Sequence, residues 1–138
     1  MRLEQAPPIT LSTLDYERLE ALLDQPQWRG NPQSERLRQE MELAELVEPQ
    51  GVPPTLVTMN STLRCMDLNT REERCFTLVY PRDADADAGR VSVLAPLGSA
   101  LLGLSVGQSI HWPVPEGVRH LRVEGLDYQP EAAGELHR

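Results

Sequence analysis

The feature that most constrains this chain is the cluster Pro49-Gln50-Gly51-Val52-Pro53-Pro54, across which the spacing of apolar residues changes from helical to strand-like. Neither a helix nor a strand crosses such a cluster easily, because proline lacks the N–H that either hydrogen-bond pattern needs. The chain is therefore expected to divide there, into residues 1–49 and 50–138. A length of 138 residues suits one ordinary domain, or a small domain with an appendage.

Ahead of the boundary, Pro7-Pro8 stiffens the entry and Ile9-Thr10-Leu11 reads as a short extended lead. Ser12 has the residue type and place of a helix N-cap. Asp15 sits where a carboxylate meets the orphan N–H groups of the first turn, and Leu11 with Tyr16 has the spacing of a hydrophobic staple. Leu19, Leu22 and Leu23 continue the apolar face, and Pro26 ends it. After the connection Pro26-Gln27-Trp28-Arg29-Gly30, Asn31-Pro32 reads as the N-cap and first position of a second helix running to about Glu48. Its apolar stripe is Leu37, Met41, Ala44 and Val47, joined by Leu43 and Leu46, with Glu35, Arg38, Glu42 and Glu45 on the solvated side. Two such helices on so short a turn predict an antiparallel hairpin, in effect a short coiled coil.

Beyond the boundary, Leu56 to Leu63 reads as a strand, Asp67-Leu68-Asn69-Thr70 as a turn, and Arg74 to Tyr80 as the returning strand. Cys65 and Cys75 lie on opposite sides of that turn, and a reducing compartment would keep them as thiols. Val91 to Gly117 has the densest apolar content. Val91 to Leu94 reads as a strand that Pro96 breaks, and Gly98-Ser99 opens a short helix carrying Ala100, Leu101 and Leu102. Gly103 closes that helix in the left-handed conformation. Ser109 to Trp112 is a further strand, Pro115-Glu116-Gly117 a turn, and Arg119 to Tyr128 the last strand, with Leu121, Val123 and Leu126 inward. A helix of two turns cannot stand alone, since isolated helices need roughly 12 to 15 residues to be marginal. A sheet must wrap it. The expected fold class is α+β: the helical hairpin, then about four to six antiparallel strands around one short helix.

Composition excludes several functions. A formal charge of −8 and a pI near 4.8 oppose direct nucleic-acid binding, which needs a basic face, and favour a protein partner. All 13 basic residues are arginine. No stretch approaches the roughly 18 apolar residues of a membrane span, and Met1 to Ile9 lacks the apolar core of a signal peptide, so the cytoplasm is expected. Asp83-Ala84-Asp85-Ala86-Asp87 has the acid spacing that opens a calcium loop, but Ala88 takes the place of the turn glycine and Leu94 that of the closing glutamate. Gly98 to Gly103 has the glycine spacing of a phosphate loop without its lysine. His111, His120 and His137 form no close metal-ligand pair in the sequence. Neither a metal nor a cofactor is expected.

The residues VSVLAPLGSALLGLSVGQ, with LVYPRDADA before them and YQPEAAGELHR after, resemble the C-terminal domain of the Gre transcript-cleavage factors. That domain is FKBP-like and binds bacterial RNA polymerase. The match is closer to the nucleoside diphosphate kinase regulator (Rnk) branch of the superfamily, and it extends from about Pro7 to the last residue. The resemblance implies polymerase docking through Leu94, Ala95, Pro96 and Leu97, with the Asp83 to Asp87 loop beside the docking edge. In Gre factors a long coiled coil also carries two acidic residues that hold a metal ion for RNA cleavage. Here the helices are read as about 13 and 17 residues, roughly 20 to 25 Å, and the tip offers Asp24, Trp28 and Arg29. A single acid cannot supply that metal site. Prolyl isomerase activity does not follow from an FKBP-like fold alone. The implied function is a non-catalytic, polymerase-binding regulator that competes with Gre-type factors. The alternative is a regulator of nucleoside diphosphate kinase, by direct contact or through expression.

Overall fold

The computed structural model describes residues 9–115 and 117–135. The expectations for Pro7-Pro8, Glu116 and His137 lie outside the described residues. Strand β1 (Thr10–Ser12) runs straight into helix α1 (Thr13–Leu23), and a 3-10 turn over Pro26–Trp28 leads to helix α2 (Pro32–Glu42). The caps are those the sequence offers. Ser12 Oγ accepts the Asp15 N–H at 3.0 Å, and the Asn31 side chain accepts the N–H groups of Gln33 and Ser34.

Helix α2 ends at Glu42 rather than near Glu48. Residues Glu45–Val47 instead form strand β2, paired in parallel with β1 from Thr10↔Glu45 to Ser12↔Val47. The expected helical stripe thus stops at Met41, and Leu43 and Leu46 are 73% and 48% exposed. A strand partner 35 positions back, Thr10 for Glu45, is a tertiary effect that local helix spacing does not report.

The main sheet has five strands in the order β5-β4-β3-β7-β6. They are β3 (Thr62–Asp67), β4 (Glu73–Val79), β5 (Arg90–Ser92), β6 (Ser109–Val114) and β7 (Gly117–Tyr128), with helix α3 (Pro96–Leu101) between β5 and β6. The sheet is mixed, not wholly antiparallel: β5 lies parallel to β4. Two further expectations shift. Leu56 to Met59 is buried but is no strand. Its backbone turns at Asn60, which takes a left-handed φ of 67°, and the ladder starts only at Thr62. Helix α3 starts at Pro96 with Ala95 as N-cap, ahead of Gly98-Ser99, because proline suits the first helical position. Gly103 does close it, at a φ of +81°.

The turn after β3 is held by Asp67, a fully buried residue. Its carboxylate accepts the Asn69 and Thr70 N–H groups and the Arg119 guanidinium, the last at 2.8 Å. Burial opposes its charge, but these donors outweigh it and hold the carboxyl below its usual range. In the same hairpin Arg64 pairs with Cys75 and Cys65 with Arg74. The two thiols therefore face opposite sides of the sheet, and burial pushes that of Cys65 up to about 12.

One core joins the helices to the sheet: Leu19, Leu23, Leu37 and Met41 pack with Leu63, Leu78, Leu101, Leu102 and Val123. Within it lies Asp15, 2% exposed. Its carboxylate does not return to the start of α1 as expected. It accepts the Met59 N–H at 3.1 Å, across 44 positions of chain. Glu131 stands on the other side of the same turn, accepting the Thr58 hydroxyl at 2.8 Å. Burial raises the Asp15 carboxyl from 3.8 to about 7; the Met59 N–H and Arg18 oppose the shift and Glu131 adds to it.

Two measurements test this packing. Leu101→Ala removes a side chain with no exposure and should cost about 2 to 5 kcal/mol in a denaturant titration; a loss below about 1 kcal/mol would place α3 at the surface. As pH rises above 3.8 the unfolded chain ionises Asp15 while the folded chain keeps it protonated, so stability should fall until about pH 7 and then level. Asp15→Asn retains an acceptor for Met59 and should remove this decline. The same pH slope in both chains would contradict the burial.

Candidate partner-binding surface

The chain leaves β5 through a tight turn. Ser92 organises it: its Oγ accepts the Leu94 N–H at 3.1 Å and its carbonyl accepts the Ala95 N–H at 3.0 Å. The Ala95 carbonyl then accepts the Ser99 N–H at 2.9 Å, which starts α3. Of the four residues expected to dock, Leu94 turns into the core at 6% exposure. It offers no surface. Ala95 and Leu97 are half-buried, Leu97 against the core, and Pro96 is exposed. The outward edge is therefore Ala95-Pro96-Leu97.

Asp24, Trp28 and Arg29 do come together at the connection between α1 and α2. The Arg29 guanidinium donates to the Asp24 carbonyl at 3.0 Å, and the Asp24 carboxylate lies 3.2 Å from the Arg38 guanidinium. The one acid at this tip is thus engaged by an arginine, although both side chains are well exposed and the pair is weak in energy. Trp28 is half-buried against the core rather than projecting. Among the described residues, no group of three or more His, Cys, Asp or Glu could hold a metal ion.

A broad open cleft of about 1500 Å³ lies between α1 with the turn after it and the β5–β4 side of the sheet. Arg18, Trp28, Tyr80, Arg82 and Arg90 are among its lining residues. Of the candidate residues only Trp28 lines it. Burial pushes the Tyr80 phenol up, Asp15 adds to the push and Arg18 opposes it. Within the 83–87 loop the Asp85 carboxylate serves the loop itself. Arg90 donates to the Asp83 carbonyl at 3.1 Å and to Asp85 at 3.4 Å, and Asp85 accepts the Asp87 N–H. The sequence carries no signal for this cleft, because its walls are contributed by helix, strand and loop residues with no common spacing.

Residues 52–128 match the family described as "Transcription elongation factor, GreA/GreB, C-term", and residues 7–47 match "Rnk N-terminus". The chain is 46% identical over 130 residues to the "Regulator of nucleoside diphosphate kinase" of Escherichia coli (strain K12), covering 94% of this chain and 96% of that protein. It is 38% identical over 87 residues to the transcription elongation factor GreA of Syntrophobacter fumaroxidans, covering 63% of this chain and 56% of that one. Among solved structures, a prokaryotic transcription elongation factor GreA/GreB from Nitrosomonas europaea superposes with a TM-score of 0.76 at 47% identity. That match covers 89% of this chain and 100% of that one. The GreA factor homolog 1 of Thermus thermophilus superposes with a TM-score of 0.50 at 20% identity, over 87% of this chain and 99% of that one, a likeness of fold alone. The chain therefore belongs to the nucleoside diphosphate kinase regulator family, a family of Gre-related regulators and not of enzymes.

Proposed function

We propose that this protein is a cytoplasmic, non-catalytic regulator that binds bacterial RNA polymerase near its secondary channel and competes there with Gre-type factors. In this reading α1 and α2 form the arm, a short helical hairpin, and the sheet with α3 forms the FKBP-like docking unit. The Pro49 to Pro54 segment separates the two. The matches to residues 7–47 and 52–128 support that division, since they fall on either side of it. Docking is assigned to Ala95-Pro96-Leu97, the outward part of the β5–α3 turn.

The observation that carries the non-catalytic reading is the tip. Each helix has 11 residues, which gives an arm of about 16 Å at 1.5 Å per residue, shorter than the sequence suggests. The only acid at the tip is Asp24, already facing Arg38 at 3.2 Å. A cleavage metal held in the Gre manner needs a pair of carboxylates to clamp it. The second reading, regulation of nucleoside diphosphate kinase by contact or through expression, is favoured by the name of the 46% identical relative.

The test is RNA cleavage in backtracked polymerase complexes. The protein alone should leave the RNA uncut, and in increasing amounts it should suppress cleavage stimulated by a Gre factor. Pro96→Asp changes an exposed first-turn position where a carboxylate suits the helix dipole, so it should weaken suppression without loss of stability. Trp28→Ala should weaken it less. Cleavage by the protein alone would contradict the reading, as would failure of the folded protein to compete at saturation.

A further inference from the structure

His111 and His120 stand nine positions apart in the sequence and show no ligand spacing there, yet the β6–β7 ribbon makes them direct cross-strand partners. Their ring centroids are 3.8 Å apart and the ring planes are inclined by 24°. The neighbouring Ile110 and Leu121 are buried. By strand alternation the two imidazoles therefore share the outer face of the sheet. Strand β6 is an edge of that sheet, and His111 is exposed while His120 is half-buried.

Two imidazole nitrogens hold a transition cation at about 2.0 to 2.1 Å each, which places the nitrogens roughly 3 Å apart at a right-angled bite. Because each nitrogen lone pair lies in its ring plane, the stacked rings must turn out of the stack to meet at one cation, and the broad ring torsion of histidine permits that turn. Nearby positive charge is compensated. Arg122, on the same face, is paired with Glu124, and Arg119 is paired with buried Asp67. The donor set is purely imidazole, which suits Zn²⁺, Ni²⁺ and Cu²⁺ and does not suit Mg²⁺ or Ca²⁺.

We propose that His111 and His120 form a surface site for a single divalent transition cation of the Zn²⁺, Ni²⁺ or Cu²⁺ class, bound through one ring nitrogen of each. Among the described residues no third His, Cys, Asp or Glu completes the set. Water fills the remaining positions, and the cation is exchangeable rather than structural. The competing explanation is that the stacked rings only support strand pairing.

Calorimetric titration of the full chain with Zn²⁺, and separately with Ni²⁺, distinguishes the two. One site per chain is expected, with His111→Asn and His120→Asn each lowering affinity by roughly tenfold or more, since either change halves the donor set. His137→Asn and Cys75→Ser should leave binding unchanged. In the wild-type protein, added Zn²⁺ should move the imidazole NMR resonances of both His111 and His120, a measurement that needs no variant to fold. Absence of binding by either metal would overturn the proposal. So would unchanged affinity in both histidine variants, loss of binding in Cys75→Ser, or unmoved resonances at metal saturation.

Discussion

Helix α3 is six residues long, too short to hold its own backbone in place, and much of the molecule is arranged to hold it. Its approach to β5 is closer than a side chain allows: a Cβ on Gly98 would lie 1.9 Å from the Ser92 carbonyl oxygen. That carbonyl is also an acceptor of the turn into the helix, so the glycine and the geometry of the Ala95-Pro96-Leu97 edge depend on one contact. At the other end, a Cβ on Gly103 would meet Ile9 at 2.5 Å. Ile9, just ahead of β1, thus covers the exit of α3. Leu101 and Leu102 between these contacts have no exposure.

The same constraint explains why Leu56 to Met59 departs from its expected strand. The Val57 N–H donates to the Leu104 carbonyl at 2.8 Å, and the Val57 carbonyl accepts the Gly103 N–H at 3.0 Å. These backbone groups are spent on the exit of α3, so they cannot enter the ladder that begins at Thr62. The segment is further fixed by Gln129, whose amide donates to the Pro53 and Leu56 carbonyls. Asp15 and Glu131 hold the turn that follows. All four residues are buried, and burial alone does not distinguish this arrangement from a strand.

What was legible in the sequence was chiefly local chemistry. Ser12 and Asn31 cap helices, Gly103 ends one in the left-handed region, and the inward positions Leu121 and Val123 are buried. What was not legible depends on residues distant in the chain. The parallel pairing of Leu46 with Leu11 shortened α2, and the Met59 N–H drew Asp15 away from its own helix. The sequence leaves open whether Leu94 docks with its neighbours or packs inward, and the turn set by Ser92 sends it inward. The His111–His120 pair was hidden for a similar reason. Only the register of the β6–β7 ribbon brings the two rings together.

Taken together, a short arm whose tip carries one engaged acid and an exposed edge at the β5–α3 turn suit the proposed role of occupying a surface on a partner without supplying chemistry there. Binding of the full chain to core RNA polymerase, measured directly by co-purification at matched concentrations of polymerase and nucleoside diphosphate kinase, tests this most directly. The expected result is a stable complex with polymerase that Pro96→Asp weakens. Retention by the kinase with none by polymerase, from a folded protein, would contradict it.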